Sequence, residues 1–395
     1  MNITKEYIKK LVDENFDLAV EIRRFFHKNP ELSFEEFKTH DFICSKLSEW
    51  GIQYKPNVAK TGVVATIVGN LKSDKVIALR ADIDALPINE NSGLDFASTN
   101  NGVMHACGHD LHAASLLVVS KILNQTKEKW GGTILLIFQP GEELLPGGAK
   151  LMIDEGIFDN IKPDLIIGQH VLPEMETGKV GFCAGKYMAS CDEIYLTING
   201  KGGHGAMPHK ITDTVLVASQ IIVNLQHIVS RKADIRIPTV LSFGKFIANG
   251  ATNVIPNKVE IEGTFRTVDE QWREEAHFLI KKIASGVAET MDANCDVIIK
   301  KGYPSLFNNP EYTIKCQQLA QDFLGESKVE TMDIRMTAED FSYFSQEYPS
   351  VFYRFGVGGK SIIPNNSLHS PSFIADEEAL KTAVSVMTWI ALSHV

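Results

Sequence analysis

Between residues 62 and 170 the chain alternates strand-length runs with helical segments, and this alternation limits the fold more than any other feature. GVVATIVG (62–69), KVIALRAD (75–82), TILLIFQP (133–140) and DLIIGQH (164–170) read as strands. HACGHDLHAASLLVVSKIL turns helical after Gly108, and a further helix falls near 147–155. Such alternation predicts an α/β domain, a mixed and largely parallel sheet with helices on both faces. Upstream, apolar residues at three- and four-residue spacing predict helices over 3–29 and 33–50.

The pattern changes near Met188. Residues 191–200 alternate as a strand, 213–231 read as a helix, 237–247 and 256–267 as strands, 270–291 as a helix and 294–301 as a strand. That order, βαββαβ, is the split βαβ or ferredoxin-like unit. After Tyr303-Pro304 the chain returns to helix, strand and a last helix from about 376. The expected organisation is one discontinuous α/β domain, 1–187 and 302–395, interrupted by a smaller α+β domain at 188–301. A chain of 395 residues, 44% hydrophobic and 22% charged, buries about three-quarters of its unfolded surface and needs no metal merely to fold. A metal site in it is therefore expected to be functional.

Composition narrows the function. The net charge is −10, with no run of five or six Lys/Arg, so nucleic acid is not an expected partner. No apolar run approaches the roughly 20 residues of a membrane span, and MNITKEYIKK lacks the pattern of a secretory signal. Six cysteines at wide, irregular spacing, without a CxxC, point to free thiols and a cytoplasmic location.

Potential metal ligands gather at the strand ends. His105-Ala-Cys107-Gly-His109-Asp110 sets imidazoles and a thiol just before a helix, donors that suit zinc and other borderline divalent ions. A turn whose His and Cys serve caps and packing is the plainer alternative. Gln139-Pro-Gly-Glu142-Glu143 follows an apolar strand, at the end where α/β sheets place their sites. One carboxylate is free to bind metal and the other to hold a water as general base; a solvated Glu-Glu pair is the bland reading. His170 closes DLIIGQH. Asp82 and Asp84, at i and i+2, share a face, and one of them could orient a ligand histidine. His369 sits far downstream in the loop NNSLHS (365–370). One metal-centred hydrolytic site accounts for all of them together. A nucleophilic Cys107 is the competing chemistry, but it leaves Glu142-Glu143 without a task. The other five cysteines read as structural thiols.

RADIDALP, HACGHD, QPGEE, GQH, GGHGAMPH, NVIPN, GTFR and LHSPSF, in this order along nearly the whole chain, resemble the metallopeptidase family of aminoacylases and carboxypeptidase G-type enzymes. The branch most similar holds hippurate hydrolases, auxin-conjugate amidohydrolases and bacterial N-acyl-L-amino acid amidohydrolases. The resemblance implies a catalytic α/β domain interrupted by a lid or dimerisation domain, and a homodimer. It implies two divalent ions (Zn, Mn, Co or Ni) per subunit. Cys107 would bridge them, Glu143 and His369 completing one ion and His109 and His170 the other. Glu142 would be the general base and Asp84 an orienting group. His204 would stabilise the oxyanion, and Asn253 and Arg266 would hold a substrate carboxylate. The implied substrate is a small N-acyl-L-amino acid, N-acetyl, N-benzoyl or similar. Alternatives are a dipeptidase, an N-acetyl-diaminopimelate deacetylase, or a binder of amino acid conjugates without catalysis.

Overall fold

The computed structural model describes residues 3–359 and 367–395; Asn365 and Asn366 of the downstream loop lie outside them. The chain divides into two compact units. One comprises residues up to Gly185 together with Phe307–Asp333 and Asp340–Val395, and the other Lys186–Leu306 with Ile334–Glu339.

The larger unit is built on an eight-stranded sheet. In spatial order its strands are Gln53–Val58, Gly62–Val68, Gly131–Gln139, Leu71–Asp82, Leu165–Glu176, Ser350–Gly358, Val180–Phe182 and Val329–Thr331. The four central strands, from Gly131–Gln139 to Ser350–Gly358, run parallel. Their ends therefore meet at one edge, with Asp82 level with Gln139. Ile134–Phe138, Ile77–Leu79 and Leu165–Ile167 are almost wholly inaccessible, as strands covered on both faces require. The helix His109–Gln125 explains part of that cover: most of its residues are buried, including Leu111, Leu116, Leu117, Val118 and Leu123. It is a core helix rather than an amphipathic surface one. It starts at Gly108, whose φ of 81° and contact with Val171 leave no room for a side chain.

Three expectations change here. The 3–29 segment is two helices, Lys5–Glu14 and Phe16–Lys28. They part at Asn15, whose amide donates to the Leu11 carbonyl (2.8 Å) and so competes with the helical ladder. The next helix begins only at Phe37, because Phe34 takes φ +64°. The strand containing His170 continues to Glu176, so this histidine lies within a strand and not at its end. The strand Gln53–Val58 carries Pro56 and has a largely exposed burial pattern, which hides it from periodicity.

The smaller unit has a four-stranded antiparallel sheet in the order Thr239–Ile247, Lys258–Thr267, Asp192–Asn199, Asn294–Lys301. Helices Thr214–His227 and Glu270–Thr290 supply its core with Val217, Ile221, Leu225, Ala276, Ile280 and Ala284, packed on Ile194, Leu196, Ile198, Ile261 and Phe265. Asp213 and Asp269 cap those helices by accepting from Leu216 N (3.0 Å) and Trp272 N (2.9 Å). Segment Ile334–Glu339 belongs to this unit although it lies outside 188–301 in sequence.

Candidate metal centre

The parallel strands and the turns that follow them bring the ligand candidates of the larger unit together. Cys107, His109 and His170 each offer a donor atom within 4.8 Å of the others, and so do Cys107, Glu143 and His369. Cys107 is thus common to two triads. Its Sγ is 3.5 Å from His170 Nε2, and His369 Nε2 is 3.2 Å from Glu143 Oε1. Glu142, buried beside them, forms a further group with His109 and Glu143. His369 arrives from far downstream: its N–H donates to Ala106 O (2.9 Å), and its φ of 60° is an unusual conformation for a residue with a side chain.

Contacts at Nδ1 orient two of the imidazoles. His109 Nδ1 faces Asp84 O (3.0 Å) and Asp84 Oδ1 (3.2 Å), and His170 Nδ1 faces Val171 O (2.8 Å). A carbonyl only accepts, so each Nδ1 carries a proton, and in the neutral ring the lone pair is on Nε2. His109 Nε2 is buried with no hydrogen-bond partner, an arrangement that costs free energy unless something accepts the lone pair. A sulfur, three imidazole nitrogens and a carboxylate suit zinc and related divalent ions. The residues fit such a metal.

The electrostatics favour positive charge at this place. Burial disfavours charge on His109, but Asp82, Cys107 and Asp84 outweigh it and hold its pKa well above the ordinary imidazole value. Hydrogen bonds with Cys107 and Glu143 push His369 up to about 10. His170 moves the other way, driven well down by burial and by the nearby Arg354. Burial, aided by Glu143, raises the Cys107 thiol; a coordinated cation reverses that tendency.

His112 is not a free ligand. Its Nδ1 binds Asp82 Oδ1 (2.6 Å) and its Nε2 accepts from Val171 N (2.9 Å). His105 is buried and neither of its nitrogens is hydrogen-bonded; desolvation drives its pKa down to about 4. In the smaller unit, His204 is exposed, pairs across a short ladder with Val254, and accepts from Ala206 N at Nδ1 (3.1 Å). Asn253 is close by, its carbonyl accepting from Gly205 N (2.8 Å). Arg266 lies on the strand Lys258–Thr267 and donates to Met336 O (3.1 Å).

Sequence reasoning missed a set of buried residues around these ligands. Arg80 joins Gln139 Oε1 (2.8 Å), Asp82 Oδ2 (2.6 Å) and Asp340 Oδ1 (2.8 Å). The signal was present: an arginine inside the apolar strand KVIALRAD must find acid partners. Asp82 responds to this company. Burial would raise its pKa, but His109, Arg80 and His112 hold it well below the carboxylate range.

The model of peptidase family M20/M25/M40 matches residues 78–393, which span all these ligand candidates. The chain belongs to this family. It is a family of metallopeptidases and amidohydrolases. The chain is 44% identical over 309 residues to an N-acyl-L-amino acid amidohydrolase of Geobacillus stearothermophilus, covering 78% of this chain and 83% of that one. It is 37% identical to a hippurate hydrolase of Campylobacter jejuni, covering 97% and 99%. A Bacillus subtilis crystal structure, described as a dinuclear metal-binding peptidase of the M20 family, superposes with a TM-score of 0.82 at 32% identity, covering 97% of this chain and all of that one.

Proposed function

We propose that this amidohydrolase releases an amino acid from N-acyl-L-amino acids, with two divalent ions held by Cys107, His109, Glu143, His170 and His369. The observation that carries the reading is that Cys107 belongs to both ligand triads while Glu142, one residue from a ligand, stands beside them. The relatives named for N-acyl amino acids and for hippurate, which is N-benzoylglycine, support the substrate class.

When bound, divalent ions supply Lewis acidity that polarises an amide carbonyl and acidifies water. Glu142 takes a proton from the attacking water and returns it to the leaving amine. Asp84 keeps the His109 proton on Nδ1 and the Nε2 lone pair available. His204 stabilises the oxyanion, a donor role worth about 3–4 kcal/mol in comparable sites. Asn253 and Arg266 hold the substrate carboxylate. The smaller unit serves as lid and dimerisation domain of a cytoplasmic homodimer, and the ions are Zn, Mn, Co or Ni.

The test is a panel of N-acetyl and N-benzoyl amino acids set against dipeptides, before and after chelation. Chelation should abolish turnover, one of the four ions should restore it, and N-acyl amino acids should turn over faster than dipeptides. Full activity after exhaustive metal removal refutes the reading.

A further inference from the structure

The turn that carries Glu142 is held by acids that are not themselves metal ligands. Three backbone N–H groups along residues 141–149 each donate to a different buried carboxylate. Gly141 N donates to Glu36 Oε1 (2.9 Å), Glu143 N to Asp84 Oδ2 (3.0 Å) and Ala149 N to Asp340 Oδ2 (3.0 Å). Each acceptor is fixed in turn by another part of the fold. Glu36 accepts from the Thr61 hydroxyl. Asp84 accepts from Ser33 Oγ (2.6 Å). Asp340 accepts from Arg80 Nη2 and from Gln139 Nε2, all at 2.8 Å.

The turn has little freedom of its own to hold this shape. Gly141 has φ +59°, and a Cβ there would collide with the Phe34 ring. Asp340 also reaches the Glu142 side chain directly: its backbone N–H lies 3.4 Å from Glu142 Oε1. Glu36 is wholly buried and is joined to the turn one residue before Glu142. A carboxylate in that position has a cost unless it is satisfied, and the donors it finds include the Thr61 hydroxyl and the N–H of Gly141.

We propose that Glu36 and Asp340 are positioning residues for Glu142, holding the turn from both sides so that the base carboxylate is set before substrate arrives. The inference rests on the reading of Glu142 as general base. Misplacement of a catalytic group by about 1 Å costs on the order of 10²-fold in rate, and that sets the expected size of the effect.

The test compares Glu36→Ala with Glu36→Gln in the full, metal-loaded chain. Gln keeps an oxygen that accepts from Gly141 N, and its amide can donate to Thr61; Ala removes the acceptor. E36A should lower kcat on an N-acetyl amino acid by about 10²-fold, with KM and metal content unchanged. E36Q should stay within about threefold of wild type. Backbone amide exchange in the peptide covering 139–149 should quicken in E36A alone. If E36A does not fold, Thr61→Val, which removes only the hydroxyl behind Glu36, should give the same pattern at about tenfold. The proposal is overturned if E36A turns over within twofold of wild type, if E36Q is as damaged as E36A, or if exchange of 139–149 is unaltered. A wild-type chain inactive on every N-acyl amino acid would instead remove the functional reading, and the exchange comparison would still decide whether Glu36 holds the turn.

Discussion

His109 and His170 are buried, and each has its Nδ1 fixed by a carboxylate or a backbone carbonyl. His204 is exposed, on a two-residue strand, and its Nδ1 accepts from the N–H two residues on. The first group is organised by the larger unit's own core. The second is presented by the smaller unit without being held for any task within it. Buried imidazoles with set tautomers are suited to ligation, which requires fixed lone pairs. An exposed imidazole on glycine-flanked backbone is suited to meeting something that comes to it. The contrast is between imidazoles fixed by a buried core and one left exposed on a short strand.

The sharpest test of the first half is Glu142→Ala. General-base catalysis contributes about 10²–10⁴-fold, and E142A should lose turnover at the upper end of that span. The five proposed ligands remain, so metal content measured by elemental analysis should be unchanged. Loss of metal together with activity would make Glu142 part of the binding set and erase the distinction between ligand and base.

His204→Ala addresses the second half with a smaller effect. Removal of an oxyanion donor costs about 10²–10³-fold in kcat, and this variant should fall in that range. Its thermal midpoint and metal content should match wild type, because the exposed side chain supports no core. Unaltered kcat would leave His204 as a surface residue, and the two regions would then differ in burial alone.

How much of this was legible in the sequence follows the same division. Cys107, His109, Glu143, His170 and His369 are residue types with few plain reasons to recur beside apolar strands and turns, so their chemistry marked them as candidates, and their donor atoms do gather in one place. Glu36 and Asp340 were not legible. They act through backbone N–H groups, which every residue possesses, and their partners lie 105 and 191 residues away. Periodicity located the buried strands well but not Gln53–Val58, whose edge position leaves it mostly exposed. The break at Asn15 depends on a side chain competing with the helix backbone, a contest that apolar spacing does not record.

A smaller effect probes what keeps the buried region rigid. Residues 83–108, between the Asp82 strand and the His109 helix, carry Asp84 and Cys107 and form a long irregular connection, a type usually found where function resides. A buried chain of charges pins it: His27 Nδ1 binds Asp110 Oδ2 (2.7 Å), and His27 Nε2 binds Glu90 Oε1 (3.1 Å). Arg23 Nε donates to the same Asp110 oxygen (2.8 Å), and Ser98 N donates to Glu90 Oε2 (2.6 Å). Burial opposes charge on His27, but Asp110 and Glu90 outweigh it and raise its pKa. Burial also opposes charge on Glu90, yet His27, Ser92 and Ser98 bring it down to about 2. The two groups give opposite signs. The raised pKa of His27 contributes stability that is complete below about 6.5 and is lost as pH rises through its folded value. The lowered pKa of Glu90 contributes stability that is present above about 4.3 and is lost as pH falls towards about 2. Thermal midpoints measured against pH should therefore be highest between about 4.5 and 6.5 for this contribution. His27→Gln should flatten the alkaline side by a few degrees, about 2–4 °C for each kcal/mol lost. Hydrogen exchange of residues 83–108 should quicken in the same variant. An unchanged pH dependence in H27Q would mean that apolar packing alone holds this connection, and that the rigidity around Cys107 does not draw on the charge chain behind it.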